Sequence, residues 1–211
     1  MDVTTIMLVG SLLIVLSGSL HLWGAYQNNN YLFYIFKPTT TLLIAGLAYG
    51  IAPEANIYLY LILAGLIFST FGDIFLMLPK DRFIPGLASF LVAHLIYIYA
   101  FQDFEFIFDP ILMIPLFIAG STVLYVLWPT LAEMKIPVMV YMSIIIIMAW
   151  LASERYFVLH DSASFYACIG ALIFLFSDAI LAIDRFKSQF SSAYAMIIVS
   201  YYAAQYFIAL S

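Results

Sequence analysis

Residues 136–153 read IPVMVYMSIIIIMAWLAS and contain no charged side chain. An α-helix needs about 20 mostly apolar residues to cross the hydrocarbon core of a bilayer, so this stretch predicts a membrane-spanning helix. The whole chain has the same character, because 66% of its 211 residues are hydrophobic and only 9% are charged. Soluble domains carry about 25% charged residues. The composition therefore excludes a soluble fold and predicts an all-α, polytopic membrane protein.

Clusters of polar residues, proline and glycine divide the sequence into eight apolar segments with short connections. The predicted spans are 3–24, 33–51, 56–78, 83–101, 109–128, 136–156, 163–184 and 190–210. We expect residues 1–211 to form one transmembrane helical domain. The first segment is long enough to span and follows an acid, Asp2, where a secretory signal would be basic, which predicts a retained first helix.

The basic residues predict the orientation of the bundle, since cytoplasmic loops are enriched in Lys and Arg. Six of the seven fall at odd-numbered loops: Lys37, Lys80, Arg82, Lys135, Arg185 and Lys187. The odd-numbered loops are therefore predicted to be cytoplasmic. Both termini are expected on the non-cytoplasmic side of a cell membrane, a bacterial inner membrane, together with an acidic loop that contains Asp103, Glu105 and Asp109.

Several classes of function are excluded or disfavoured by the same sequence. The Lys and Arg residues occur singly or in pairs, which predicts no nucleic-acid surface. Cys168 is the only cysteine, and His21, His94 and His160 do not share metal-ligand spacing, so neither a metal nor another cofactor is expected. No nucleophile elbow, Walker loop or dinucleotide fingerprint occurs. The lipid bilayer remains as the partner that the composition predicts.

Two aspartates lie within predicted spans, in segments that resemble each other. Residues 66–76 read LIFSTFGDIFL and contain Asp73, and residues 174–181 read FLFSDAIL and contain Asp178. Each segment leads to Asp-Arg-Phe, at 81–83 and 184–186. The similarity suggests a parallel internal repeat relating helices three and seven, although apolar segments also resemble one another by chance.

Helix geometry predicts that both carboxyl groups lie about 9–10 Å inside the cytoplasmic boundary, at about 1.5 Å per residue. A lone charged carboxylate costs at least about 2.5 kcal/mol inside a membrane, so both side chains should face the bundle interior or a water-filled cavity. This cost favours a functional role for Asp73 and Asp178. The alternative is that each only holds neighbouring helices together through hydrogen bonds to Tyr, Ser or Thr.

Weaker signals come from polar residues on three other helices. His94 shares a face of helix four with Tyr97, where it could orient a substrate, relay a proton or simply bond a neighbouring hydroxyl. Lys37 and Pro38 are expected to open helix two, because proline is common in a first turn, and Lys37 would either reach the membrane surface or bind a phosphate. Tyr201 and Gln205 lie four residues apart on helix eight, which suits interhelical bonding or the lining of a cavity.

Paired carboxyl groups indicate acid–base chemistry. In a partly apolar site one carboxyl group can remain protonated as a general acid while the other is ionised and activates water. Glycosidases cleave acetals in this way, through an oxocarbenium-like transition state. A vinyl ether offers a related route: protonation of its terminal alkene carbon, addition of water, and collapse of the hemiacetal to an aldehyde.

An ordered set of motifs over nearly the whole chain resembles the YhhN-like lysoplasmalogenase family. The matching residues are Phe36-Lys37-Pro38, Gly72-Asp73, Leu76, Leu78-Pro79, Phe83, Gly86, Phe90, His94, Tyr97, Ser177-Asp178 and Tyr202-Ala203-Ala204-Gln205. The resemblance implies a multi-pass membrane hydrolase. Its expected substrate is a lysoplasmalogen, whose vinyl ether is cleaved to a fatty aldehyde and a glycerophospho-alcohol.

The resemblance also implies roles for individual residues. Asp73 and Asp178 would carry the acid–base chemistry, with Asp73 preferred as the acid and Asp178 as the base, although the reverse assignment stays open. The resemblance implies substrate-binding positions at Lys37, His94, Tyr97 and Gln205. Tyr201 is also expected there, from its spacing to Gln205. The competing hypothesis is a small membrane transporter or lipid-binding protein that uses the same acids to couple protons or bind a cation.

Overall fold

A computed structural model describes residues 2–52, 54–103 and 110–211 of the chain. These residues form eight α-helices and no strand. The helices are α1 Val3–Tyr26, α2 Asn30–Ile51, α3 Ile57–Met77, α4 Phe83–Ala100, α5 Pro110–Leu127, α6 Lys135–Leu159, α7 Ser162–Phe186 and α8 Ala193–Ala209. A 3-10 turn, Ala132–Met134, precedes α6.

The helix bounds confirm the predicted all-α architecture. Each described helix end lies within three residues of the predicted span end. Glu105 and Asp109 of the predicted acidic loop lie outside the described residues, as does the predicted first residue of the fifth span. Within the described residues, seven helices are long and apolar enough to cross a membrane, and α8 is apolar but only 17 residues long. The chain is a multi-pass membrane protein.

Asparagine or aspartate side chains begin three of the helices. Asn29, Asn56 and Asp161 accept hydrogen bonds from the backbone N–H groups of the third helical residues of α2, α3 and α7. Such caps satisfy donors that have no partner within the helix. The backbone N–H of Ser164 also lowers the pKa of Asp161, because it stabilises the ionised carboxylate.

The chain divides into two compact units, residues 1–100 and 101–211. Among the described residues, the first unit contains α1–α4 and the second contains α5–α8, and consecutive helices pack on each other within each unit. Asp73 lies on the third helix of the first unit, and Asp178 lies on the third helix of the second. The internal repeat and the single-domain organisation stay predictions.

The expectation that Lys37 and Pro38 begin the second helix is wrong. The cap at Asn29 starts α2 a full two turns earlier, and Pro38 lies inside the helix. Proline has no N–H for the carbonyl four residues before it. Lys37 is only 6% exposed and does not reach the surface. It is therefore not a loop charge, and five basic residues remain in support of the predicted orientation.

A glycine permits close packing of the last two helices of the second unit. A Cβ atom placed on Gly170 would lie 2.9 Å from the backbone oxygen of Ala204 and 2.7 Å from Cγ1 of Ile208. Real Cβ atoms do not approach other atoms so closely, so α7 and α8 could not keep this separation with a larger residue. Small residues at helix interfaces serve this purpose in membrane proteins.

Replacing this glycine should weaken the second unit. We expect Gly170→Ala to lower the free energy of unfolding by about 1–3 kcal/mol, the usual effect of overpacking. Gly46→Ala is the matched control, because a Cβ at Gly46 meets nothing within 4 Å, and alanine favours the helix. Thermal unfolding in detergent measures both variants. Equal stability of the two would contradict the close approach at Gly170.

Candidate functional site

Gly72 and Asp73 face two different neighbours of α3, because successive residues of a helix point about 100° apart. A Cβ atom on Gly72 would lie 2.5 Å from the ring of Phe90, so this α4 side chain packs directly on the α3 backbone. Asp73 is 1% exposed and contacts α2. The Gly-Asp pair thus allows close packing on one side and places a carboxylate on the other.

The two oxygens of Asp73 have different partners on α2. Thr41 donates a hydrogen bond from Oγ1 to Oδ2 at 2.8 Å. The Nζ of Lys37 lies 3.9 Å from Oδ1, an ion-pair distance that is longer than a direct hydrogen bond. Lys37 and Thr41 are four residues apart, so they share a face of α2. All three side chains are buried.

The energies of these contacts can be compared with the cost of burying a charged pair inside the bundle. Two isolated charges cost at least about 5 kcal/mol on insertion scales, at about 2.5 kcal/mol each. Opposite charges about 4 Å apart attract by about 4 kcal/mol at an effective dielectric constant of about 20. A hydrogen bond to a charged group adds about 1.5–3 kcal/mol. The attraction of Lys37 and the hydrogen bond of Thr41 are therefore of the same order as the minimum cost of burying the pair.

Helix α1 extends this polar cluster. His21 is fully buried and lies within electrostatic range of Lys37. The centroid of its ring is 5.4 Å from that of Phe33. One turn away, Ser17 and Thr40 share a hydrogen bond of 2.7 Å between α1 and α2. The first unit therefore holds a buried polar cluster to which α1, α2 and α3 all contribute.

The predicted residues of α4 lie on the face that packs against α3. The ring of Tyr97 occupies the space beside Gly65, where a larger residue would collide with it. His94 is fully buried and lies between Phe90 and Tyr97 on the helical surface. Ser89 on the same helix donates to the backbone oxygen of Phe68 at 2.6 Å. His94 and Tyr97 thus belong to the α3–α4 packing of the first unit.

The second aspartate, Asp178, also accepts a hydrogen bond from a hydroxyl group on the preceding helix. Tyr141 on α6 donates to Oδ2 of Asp178 on α7 at 2.5 Å. The neighbouring Ser177 donates to the backbone oxygen of Ile197 on α8 at 3.0 Å. In both units, therefore, a hydroxyl group on the second helix donates a hydrogen bond to the aspartate on the third helix.

The predicted residues of α8 are buried in the second unit. The ring of Tyr201 meets that of Phe174 on α7 edge to face, with centroids 5.6 Å apart. Gln205 is fully buried one turn later. An aromatic contact of this kind contributes about 0.5–1.5 kcal/mol beyond its buried area. The ring contact of Tyr201 packs α8 on α7, and the choice between interhelical hydrogen bonding and the lining of a cavity stays a prediction.

The sequence-predicted residues are thus brought together in part. In the first unit Lys37 meets Asp73, and His94 and Tyr97 lie on the adjoining helix. Asp178, Tyr201 and Gln205 belong to the second unit.

The two aspartates lie at different distances from the ends of their helices. Asp73 precedes the last residue of α3 by four positions, about 6 Å, whereas Asp178 precedes the last residue of α7 by eight, about 12 Å.

Three partners in these clusters were missed from the sequence. Thr41 follows Lys37 by one helical turn, a signal that could have identified it. Tyr141 gave no signal, because it is one of 16 tyrosines in the chain. His21 was considered only as a metal ligand. Among the residues that the structure describes, no group of three or more His, Cys, Asp or Glu side chains could hold a metal ion.

The sequence matches one family and several named relatives. A model of the YhhN family matches residues 32–211. The chain is similar to membrane protein YhhN of Escherichia coli, with 29% identity over 97% of this chain and 99% of that protein. It is also similar to human lysoplasmalogenase TMEM86B, with 32% identity over 90% of this chain and 79% of that protein. No solved structure matches. Helix α1 precedes the region that the family model covers.

Replacing one partner of the buried ion pair should cost more stability than replacing both. Lys37→Met or Asp73→Asn alone leaves an uncompensated partner and should lower the free energy of unfolding by about 3–5 kcal/mol. The double variant should recover most of this loss. Lys80→Met, at an exposed lysine, should change stability by less than about 0.5 kcal/mol. Additive losses in the double variant, measured by thermal unfolding in detergent, would rule out a coupled pair.

Proposed function

This chain belongs to the YhhN family, and from this premise we propose that it is a membrane hydrolase that cleaves the vinyl ether bond of lysoplasmalogens. The substrate is a single-chain alkenyl phospholipid taken from the bilayer of the cell membrane. The products are a fatty aldehyde and a glycerophospho-alcohol. The names of the human, rat and mouse relatives, all lysoplasmalogenase, support this substrate class.

The observation that carries the proposal is the buried carboxyl group of Asp73. It lies on a helix able to span a membrane, and side chains of α2 hold both of its oxygens. Charged side chains inside membranes are rare and are by default functional. Asp178, held by Tyr141, is the second carboxyl group that acid–base hydrolysis requires.

The proposed reaction needs one proton donor and one proton acceptor. A carboxylic acid protonates the terminal alkene carbon, which turns the vinyl ether into an oxocarbenium ion. The other aspartate, as a carboxylate, takes a proton from water while the water oxygen bonds to the cationic carbon. The hemiacetal then collapses and releases the glycerol oxygen with a proton. Asp73 and Asp178 are the proposed pair, and no metal takes part.

Substrate contacts are proposed for the remaining predicted residues. Lys37, His94 and Tyr97 in the first unit and Tyr201 and Gln205 in the second are polar side chains on apolar helices. Polar groups of this kind orient a ligand in an otherwise apolar site. They would hold the polar head of the lipid while its alkenyl chain remains among apolar side chains.

Both aspartates should be needed for aldehyde release. We expect Asp73→Asn and Asp178→Asn each to lower kcat for an alkenyl-lysophospholipid by about 100-fold or more, the usual contribution of acid–base catalysis. Asp81→Asn is the matched control, because Asp81 is exposed and an asparagine oxygen can still accept the N–H of Phe83. Free aldehyde is measured from purified protein in detergent.

Three further arms decide between the alternatives. A saturated alkyl-lysophospholipid should release nothing, because it has no alkene carbon to protonate. Activity that survives EDTA supports metal-free hydrolysis, whereas activity lost with EDTA would contradict it. Absence of aldehyde from folded wild-type protein would reject the hydrolase, and proton-coupled uptake into liposomes by the same protein would favour the transporter.

A further inference from the structure

We propose that Lys37 is a positioning residue that holds Asp73 as an ionised carboxylate, so that Asp73 supplies the base and Asp178 the acid of the reaction. The protonation state of Asp73 follows from the geometry of the first unit alone. The base role rests on the proposed function. This assignment reverses the order that the sequence favoured.

The ammonium group of Lys37 distinguishes Asp73 from an ordinary buried carboxyl group. Lys37 and Asp73 are 6% and 1% exposed, and their charged atoms lie 3.9 Å apart. Opposite charges at this separation favour the ionised form of both partners. Thr41 orients the other carboxylate oxygen by its hydrogen bond at 2.8 Å. One oxygen of Asp73 therefore accepts a hydrogen bond, and the other lies at ion-pair distance from a positive charge.

Helix α1 brings a further polar side chain to this pair. His21 on α1 lies within electrostatic range of Lys37. The buried ammonium group compensates the carboxylate of Asp73. Thr41 adds a neutral hydroxyl.

The contact shown for Asp178 is of a different kind. Tyr141 offers a neutral hydroxyl to one oxygen of this carboxyl group. Because the proposed reaction needs one acid and one base, the base role of Asp73 leaves the acid role of the proposed pair to Asp178.

The proton balance closes with this assignment. Asp178 gives its proton to the terminal alkene carbon, and Asp73 takes a proton from the water molecule whose oxygen bonds to the oxocarbenium carbon. When the hemiacetal collapses, the bond between this carbon and the glycerol oxygen breaks. Asp73 returns its proton to that oxygen, and Asp178 takes the proton of the hemiacetal hydroxyl. Both side chains regain their first state, and one water molecule is consumed.

Infrared difference spectroscopy of the full chain in detergent tests the protonation state without substrate. Subtraction of the Asp73→Asn spectrum from that of wild type should show lost carboxylate bands and no lost carboxylic-acid C=O band. Lys37→Met should gain a carboxylic-acid band that the Lys37→Met/Asp73→Asn double variant lacks. Thr41→Val is the matched control, because it removes a neutral donor from the same carboxylate and keeps the ammonium group.

Two infrared results would overturn the proposal. One is a carboxylic-acid band of wild type that disappears in Asp73→Asn. The other is a Lys37→Met spectrum in which Asp73 remains a carboxylate. Lys37→Arg provides a second variant with the positive charge retained, so that a folding defect of Lys37→Met does not leave the question open. Its spectrum should keep the carboxylate.

Kinetics then test the positioning role. Lys37→Met should lower kcat by about tenfold or more, because it removes the form of Asp73 that activates water, whereas loss of its proposed contact with the lipid head should appear in KM. Lys37→Arg should restore most of kcat. An unchanged kcat in Lys37→Met, or a loss confined to KM, would reject the role. Absence of aldehyde release from wild type would reject the base role with the hydrolase, whereas the infrared spectra would still decide the charge of Asp73.

Discussion

A carboxylate inside a bilayer needs a partner of opposite charge or strong donors, and the contact between Lys37 and Asp73 meets this need in the first unit. The two residues come from different helices, so the pair also fixes α2 against α3. Thr41 adds the second attachment on the same face of α2. The position of the proposed reactive group therefore depends on this buried ion pair and on the hydrogen bond from Thr41.

Close helix packing makes this arrangement possible. Gly72 lets the ring of Phe90 rest on the α3 backbone, one residue before the carboxylate turns toward α2. On the other side of α3, the hydroxyl group of Thr41 bonds to the carboxylate of Asp73. The second unit uses a related solution, in which Tyr141 serves Asp178 and Gly170 brings α7 and α8 together. The helix packing and the proposed function thus involve the same few small and polar residues within apolar helices.

Much of the fold could be predicted because the membrane imposes a length and a composition on every span. The eight helices appear within three residues of their expected ends. The error at Lys37 and Pro38 has a physical cause: proline suggested a first turn, but Asn29 caps the helix earlier. The burial of Lys37 also depends on a partner on another helix. A sequence that shows a lysine and an aspartate 36 residues apart does not reveal this pairing.

The charged residues of the candidate site could be predicted from the sequence, because burying a charge in a membrane is costly. That cost singled out Asp73 and Asp178, but it could not find Tyr141, whose residue type is common in this chain.

The central claim is that the buried aspartates protonate carbon and add water to it. Turnover of an alkenyl-lysophospholipid in deuterated, ¹⁸O-labelled water, with the aldehyde reduced as it forms, tests this claim most directly. The account predicts one deuterium on the carbon next to the former aldehyde and no ¹⁸O in the glycerophospho-alcohol. Label in the glycerophospho-alcohol, or no deuterium on that carbon, would contradict it.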